Sequence, residues 1–441
     1  MLSILADRTY RHLFLAQVVA LLGTGLSTVA LGLLAYDLAG DGAAMVLGTV
    51  FTVKMVAYVA IAPVAGAFAD RVNRRRLLVA LDLVRAGVAV TLPFVSEVWQ
   101  VYVLIFLLQS ASAAFTPTFQ ATIPDVLPEE ERYTRALSLS RLAYDLENII
   151  SPTLAALLLA VMAYNTLFLG TALGFVGSAL LVVSVLLPSP KPSAPRGVYE
   201  RTTRGIRIYL ATPRLRGLFA LNLAVASAGA MVLVNSVVLV RGDLGLTNSD
   251  LAWTLFAFGA GSMLAALILP HLLDTMRDRP VMIAGASLMV LALLGLSGVI
   301  ALSGLTWQAL LGAWFLVGIG YSSTQTPSGR LLRRSAHAED RPAVFAAQFA
   351  LSHACWLMTY PLSGWLLTQF GALVALLSLA ALSALGIAAC LRLWPEEAVG
   401  QVEHSHADLP PDHPHLREHG PQGHRHAIII DDLHRQWPTQ G

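Results

Sequence analysis

Long apolar stretches recur along almost the whole of this 441-residue chain. A helix of about 20 apolar residues crosses a hydrocarbon core and satisfies its own backbone hydrogen bonds inside lipid. Hydrophobic residues make up 56% of the chain and charged residues 13%, a balance that excludes an ordinary soluble protein. The pattern predicts an all-α membrane protein with twelve membrane-spanning helices, near 13–38, 45–69, 77–95, 98–117, 138–160, 164–187, 216–240, 251–272, 280–302, 306–327, 343–367 and 370–394.

The basic residues fall on one side of this predicted bundle. Arg8 and Arg11 precede the first span without a cleavage-site pattern, so we expect that span to be retained. The loops after odd-numbered spans contain only Arg241, whereas the loops after even-numbered spans are basic, at 71–76, 132–135, 191–207, 277–279 and 330–341. Because basic loops stay cytoplasmic during insertion, we predict a bacterial-type inner-membrane protein with both termini in the cytoplasm. The net charge of +2 follows from this bias, so we expect the lipid bilayer as a partner and no nucleic acid.

The second half of the chain repeats features of the first half. Thr116-Pro117 near the end of the fourth span corresponds to Thr326-Pro327 near the end of the tenth. A six-span repeat keeps the same membrane orientation, as in transporters whose two halves rock about a central site. We therefore predict an N-terminal six-helix half, a cytoplasmic linker, a C-terminal six-helix half and a disordered histidine-rich tail, at 1–187, 188–215, 216–394 and 395–441.

The loop between the second and third spans has the sequence GAFADRVNRRR at 66–76. It resembles the loop motif G-x-x-x-D-R/K-x-G-R-R/K of the major facilitator superfamily, with Asn73 in place of the second glycine. The stretches LDLVRAG at 81–87 and QATIPDVLP at 120–128 resemble the branch that contains macrolide and siderophore exporters. The resemblance extends over the body of the chain and implies a major facilitator fold. It also implies a gating latch of charged and small residues, formed by Gly66, Asp70, Arg71, Arg74 and Arg75.

Eight of the twelve histidines lie in residues 395–441. Neutral imidazole is a preferred ligand of Ni, Co, Cu and Zn, so this segment favours a collector of divalent transition metal over a merely polar tail. A histidine-rich cytoplasmic C-terminus on such a body is similar to the NreB-type nickel-resistance exporters. The candidate metal ligands of the tail are His404, His406, His413, His415, His419, His424, His426 and His434.

Ionisable side chains inside predicted spans are functional candidates, because each costs about 2.5–3.5 kcal/mol at bilayer depth. Lys54 of the second span has two open interpretations, a structural partner of a buried carboxylate or a site that releases its proton when substrate arrives. Asp145 of the fifth span lies four residues after Arg141, a spacing that favours a static ion pair over a transport role.

Glu147 lies on a different face of the fifth span from Asp145, in a polar stripe with Ser140, Tyr144 and Ser151. The sequence has no basic residue one helical turn from Glu147. A carboxylate in a desolvated cavity can exchange a proton for a cation at physiological pH. We therefore favour a coupling or substrate-binding role for Glu147, with Tyr144 and Ser151 beside it, over a static interhelical hydrogen bond.

His353 of the eleventh span aligns with Tyr144 through the repeat, so we expect it to face the same cavity from the opposite half. It is a candidate metal ligand, and the alternative is a histidine that only packs and forms a hydrogen bond. Cys355 is two residues away and points elsewhere on a regular helix, so the two do not form a chelate. Both cysteines lie in predicted spans, which indicates no disulfide framework.

The sequence contains no phosphate-binding loop and no pattern for covalent catalysis, so we predict a transporter and not an enzyme. The first hypothesis is a secondary active exporter of Ni²⁺, with Co²⁺ as a second ion, driven by proton antiport and conferring metal resistance. It needs no cofactor, takes the divalent metal as substrate and protons as the coupling ion, and acts as a monomer. The alternative is an exporter of organic compounds, macrolide- or siderophore-like, with a metal-buffering tail. A metal sensor on a transport-incompetent body fits the intact loop motif poorly.

Overall fold

The structure, a computed structural model, describes residues 2–39, 43–69, 71–188, 197–394, 402–404, 424–426, 428–434 and 436–437. Helices form most of these residues, because a helix in lipid pairs every backbone group within its own segment. Each of the first six helices overlaps one predicted span. Their bounds are α1 Arg8–Ala39, α2 Ala43–Phe68, α3 Arg74–Thr91, α4 Val98–Val126, α5 Glu130–Leu159 and α6 Asn165–Val183.

Seven further helices follow, of which α8 to α11 overlap predicted spans seven to ten. The last helix contains both remaining spans, and its only break is at Gly371, where φ is 79°. Glycine adopts this left-handed conformation at little cost. The expected all-α architecture with twelve membrane-length segments is thereby confirmed. The bounds are α7 Val198–Ala211, α8 Pro213–Val237, α9 Asn248–Thr275, α10 Asp278–Ser303, α11 Trp307–Gln325, α12 Ser328–Arg334 and α13 Arg341–Leu393.

Length and hydropathy alone identify nine candidate membrane spans among the described residues. The number falls short of twelve partly because α13 counts once although it contains two spans. Two further helices overlap predicted spans: α5, which carries Arg141, Asp145 and Glu147 in its middle, and α11, which ends in the polar residues 321–325. Such side chains are tolerated at membrane depth when they face other helices or a polar cavity.

A helix occupies part of the segment predicted as a linker. α7 lies within 188–215 and is amphipathic, and two of its arginines, Arg201 and Arg204, are buried. Arg204 is buried because Asp340, immediately before α13, accepts hydrogen bonds from its guanidinium. The basic character of the segment thus reflects ion pairing with the C-terminal half as well as topology.

Part of the tail packs against the bundle, whereas its composition predicts disorder throughout. Ile428 and Ile430 are buried, and the side chain of Asp432 accepts a hydrogen bond from Arg204 at 2.8 Å. The apolar run Ile428–Ile430 explains the difference, because it supplies surface to bury that the polar residues before it lack. Two short strands, β1 Val402–His404 and β2 His424–His426, pair antiparallel with position 404 opposite position 424.

The arginine-rich end of the bundle, here named the basic face, consists of residues 71–76, 125–135, 273–279 and 328–343. At this face Glu130 of α5 forms ion pairs with Arg330 and Arg334 of α12. The same two arginines also lie within ion-pair distance of Asp278 in their own half. The two halves are therefore held in direct contact at the basic face.

The helices α9 and α11 pack at a separation that only glycine allows. A Cβ atom at Gly318 would collide with the backbone carbonyl of Phe258, whereas a Cβ at Gly312 on the same helix would meet no heavy atom of the described residues within 4 Å. We expect Gly318→Ala to lower the free energy of unfolding by about 2 kcal/mol, because backbone cannot give way as a flexible side chain does. Gly312→Ala is the matched control and should be neutral or slightly stabilising. Denaturant unfolding of the purified protein in detergent measures both, and equal stabilities would contradict this packing.

Candidate functional site

The polar stripe of α5 faces α1. Ser140 donates a hydrogen bond to the Oε1 atom of Gln17, and Ser151 is buried. A Cβ atom at Gly25 of α1 would lie 2.7 Å from Oε1 of Glu147 and would collide with Ser151. Gly25 therefore creates the space in which the Glu147 carboxylate lies.

Lys54 of α2 is the cation that acts on Glu147. Both side chains are half-buried, and the two charges interact electrostatically across the N-terminal half. The Nζ atom of Lys54 also lies 5.6 Å from the ring centroid of Tyr58, one turn along α2. Both interpretations of Lys54, as the structural partner of a buried carboxylate and as a site that releases its proton when substrate arrives, stay predictions. Opposite charges in a medium of low dielectric constant hold each other more strongly than in water.

Tyr58 connects this pair to the C-terminal half. Its ring meets the imidazole of His353 edge-on at 4.7 Å and the ring of Phe349 at 4.8 Å. The Nδ1 atom of His353 is 2.7 Å from the carbonyl oxygen of Phe349, so a neutral imidazole that donates there leaves Nε2 as its acceptor. Lys54 also acts electrostatically on His353. Lys54, Glu147 and His353 thus form one connected group, named the central polar group.

Tyr144 lies beside this group, close to Gln17 and Tyr58. The structure therefore brings most of the predicted membrane residues together, but through intermediaries that the sequence pattern did not reveal: Gln17, Gly25 and Tyr58. The sequence does contain a feature that could have identified Tyr58: it lies four residues after Lys54 and hence on the same face of α2. Gly25 and Gln17 carry no comparable signal, because their roles depend on the packing of α1 against α5.

Asp145 lies apart from the central polar group, in an ion pair with Arg141. Arg141 also reaches the C-terminal half, where its Nε atom is 3.1 Å from the hydroxyl of Ser262 and its guanidinium lies 4.6 Å from the Tyr321 ring. Asp145 is 1% exposed in its side chain. The pair therefore fixes a guanidinium between the halves and leaves the carboxylate little room to bind a substrate.

Aromatic rings continue from this point into the C-terminal half. Tyr321 packs near Trp356, which in turn packs on Tyr360 at 4.9 Å between ring centroids. A Cβ atom at Gly229 of α8 would collide with the Trp356 ring, so this glycine admits the indole. The polar residues are thus bordered by a chain of aromatic side chains.

One of the predicted gating residues, Arg74, pairs with a carboxylate at the basic face. Arg74 and Arg341, which come from different halves, both pair with Asp125 of α4. A Cβ atom at Gly66 would lie 2.5 Å from that of Ala346 on α13, so the motif glycine permits close approach of the halves. Arg71 is exposed and Arg75 half-buried, and Asp70 lies outside the described residues.

Only some of the tail histidines lie among the residues that the structure describes. His434 is buried, and its Nδ1 atom lies 3.1 Å from Oδ1 of Asp431. Positions 404, 424 and 426 belong to β1 and β2, whereas His406, His413, His415 and His419 lie outside the described residues. Within the described ranges no group of three His, Cys, Asp or Glu side chains is arranged to hold a metal ion. Metal binding by the tail and by His353 stays a prediction.

Comparison with known proteins identifies a family. The sequence model of one protein family, the Major Facilitator Superfamily, matches residues 13–238 and 218–429 of this chain. Macrolide efflux protein A of Streptococcus pyogenes is 30% identical over 152 residues, which cover 33% of this chain and 37% of that protein. Multidrug resistance protein MdtG of Serratia proteamaculans is 31% identical over 163 residues, 36% of this chain and 39% of that protein. The alignment thus spans well under half of these curated relatives.

Solved structures resemble the fold over most of its length. The crystal structure of the human organic anion transporter MFSD10 has a TM-score of 0.75 at 13% identity and covers 87% of this chain and 99% of its own. A bacterial homologue of the iron transporter ferroportin, in an outward-facing state, has a TM-score of 0.73 at 13% identity with the same coverage. At such identities the likeness concerns the fold alone.

The ion pair between Arg141 and Asp145 leads to a stability prediction. Asp145→Asn should lower the free energy of unfolding by about 3 kcal/mol, because it leaves a largely buried guanidinium without its counter-charge. Arg141→Met should cost a similar amount, and the double variant should cost less than the sum of the two. The control is Glu131→Gln, which breaks an exposed pair with Arg135 on the same helix and should cost under about 1 kcal/mol. Additive losses measured by denaturant unfolding would contradict the pairing.

Proposed function

Because this chain belongs to the major facilitator superfamily, we propose that it is a secondary active exporter that removes organic compounds from the cytoplasm in exchange for protons. It is a multi-pass membrane transporter and not an enzyme. The relatives named for macrolide and multidrug efflux support an organic substrate, although they align over only part of their length. A monomer suffices, since each chain contains both halves and the group between them.

The side chains around the central polar group favour this substrate class. Tyr58, Phe349, Trp356 and Tyr360 offer ring faces and edges, which bind flat apolar groups. Sites for organic ligands are mostly apolar with a few placed polar groups, whereas a metal site needs several converging donors. The described neighbours of His353 are the rings of Tyr58 and Phe349, the carbonyl oxygen of Phe349, the hydroxyl of Ser352 and the charge of Lys54. Rings and a cation suit an organic substrate better than a metal ion.

The single observation that carries the proposed coupling is the position of the Glu147 carboxylate in the space left by Gly25, with Lys54 as the cation that acts on it. While both side chains are charged, they neutralise each other. A positively charged substrate that approaches Glu147 competes with Lys54, and a proton that binds Glu147 abolishes the attraction for substrate. Proton and cationic substrate therefore exclude each other at one carboxylate, which is the requirement for antiport.

We further infer that the basic face is cytoplasmic, because arginine-rich loops are retained on that side of a bacterial inner membrane. The ion pairs of Asp125 and Glu130 then close the pathway toward the cytoplasm. In this orientation both termini are cytoplasmic, and substrate leaves on the opposite side.

A second candidate function is export of Ni²⁺, with Co²⁺ as a further ion. The eight histidines of residues 395–441 favour it, because a tethered chelator raises the local concentration of metal near the pathway. On the first proposal the same histidines bind metal without serving transport.

A susceptible bacterial host that expresses the chain separates the two functions. We expect it to tolerate macrolides or cationic dyes at higher concentrations than the host with an empty vector, with no change for Ni²⁺ or Co²⁺. Replacement of His406, His413, His415 and His419 by Gln should leave this tolerance unchanged. Tolerance to the metals without tolerance to any organic compound would reverse the order of the two candidates.

The proposed coupling predicts the behaviour of Glu147→Gln. The substitution keeps the shape but removes the titratable group, so efflux driven by a pH gradient should fall at least about tenfold while the protein still folds. Inverted membrane vesicles with an imposed pH gradient and an organic substrate from the growth test report the flux. Glu97→Gln, at the start of α4 and remote from the central polar group, is the control and should transport normally. Normal substrate-dependent proton flux in Glu147→Gln would exclude Glu147 as the coupling residue.

A further inference from the structure

The described residues 428–434 and 436–437, here named the C-terminal strap, occupy a surface of the C-terminal half. Ile428 and Ile430 are 1% and 2% exposed, as completely buried as core residues of the bundle. Ile430 belongs to the same apolar cluster as Ile208 and Tyr209 of α7. Trp437 packs against this cluster, with the guanidinium of Arg214 6.0 Å from its ring centroid. The strap is therefore docked through its apolar side chains.

An ion pair joins Asp432 of the strap to Arg204 of α7. The guanidinium of Arg204 is 5% exposed and contacts two carboxylates, Asp340 before α13 and Asp432 of the strap. Burial alone would lower the pKa of Arg204, but the hydrogen bonds and charges of these carboxylates raise it above its ordinary value. Asp432 thus completes a charge-assisted cluster that joins the strap, α7 and the start of α13.

The helix that the strap holds touches both halves of the transporter. The guanidinium of Arg201 lies 5.7 Å from the ring of Phe68 at the end of α2, in the N-terminal half. On the other side, a Cβ atom at Gly205 would collide with the carbonyl of Ala343 in α13. α7 therefore bridges the halves at the basic face, and the halves must separate there for the pathway to open on that side.

We propose that the C-terminal strap is an intramolecular brake that pins α7 across the two halves and so favours the conformation closed at the basic face. Release of the strap shifts the population toward the conformation open at that face, since a contact made in only one state biases the equilibrium by its own free energy. This role is independent of which compound is transported.

A cysteine reporter at the interface of the halves tests the brake without any substrate. Thr134 is 1% exposed, and its hydroxyl accepts a hydrogen bond from Arg330 of the other half. The reporter is Thr134→Cys in full-length protein that also carries Cys355→Ala and Cys390→Ala. A maleimide reacts with this thiol when the halves separate, and the reaction rate is measured in detergent, where both faces are accessible.

Three strap substitutions are compared in this background. Ile430→Ala and Asp432→Asn should raise the labelling rate about threefold to tenfold, because each weakens docking. Leu433→Ala is the matched control, since this leucine is 38% exposed in the same segment, and it should not change the rate. Unchanged or slower labelling in both test variants overturns the proposal, as does an equal rise in the control. If Ile430→Ala fails to fold, Asp432→Asn carries the test alone, because its carboxylate is 57% exposed and its loss creates no cavity.

Discussion

A charge inside a membrane protein must find a counter-charge, and this requirement shapes the whole molecule. Arg85 and Asp82 satisfy it permanently, because Ser178 also donates to Asp82 while Phe115 and Phe175 enclose the guanidinium. Arg141 and Asp145 satisfy it across one helical turn. Lys54 and Glu147, on two different helices, act on each other as opposite charges, and a proton on Glu147 would remove this attraction.

Glycines decide which helices stay together. At Gly318 the contact is with the backbone of the same half, so α9 and α11 form a fixed unit. At Gly66 the contact joins α2 to α13 of the other half, where the partner atom belongs to an alanine side chain. Small residues permit both contacts, but only the second crosses the boundary along which the halves separate.

The spans were predictable because their apolar length is imposed by lipid, and the pairing of Arg141 with Asp145 because it is local in sequence. The sequence predicted where the last two spans separate, but it did not predict that a single non-helical residue, Gly371, would separate them in place of a loop. Tyr58, Gln17 and Gly25 depend on which helices become neighbours, information that no local pattern contains. The sequence also did not predict the docking of Ile430, because the composition of the tail is dominated by histidine and polar residues and therefore predicts disorder.

Three of the charged residues that join the halves at the basic face, Asp125, Arg330 and Arg334, also have a partner of opposite charge in their own half. Asp125 binds Arg341 of the opposite half but also Arg74 of its own, and the arginines of α12 that bind Glu130 also have Asp278. When the halves part, Arg330, Arg334 and the Asp125 carboxylate therefore each keep a counter-charge in their own half, and none of the three becomes a lone ion, which would be costly. The charged residues of this latch exchange partners when the halves part. A strong set of ion pairs is therefore compatible with a small free-energy difference between the closed and open conformations.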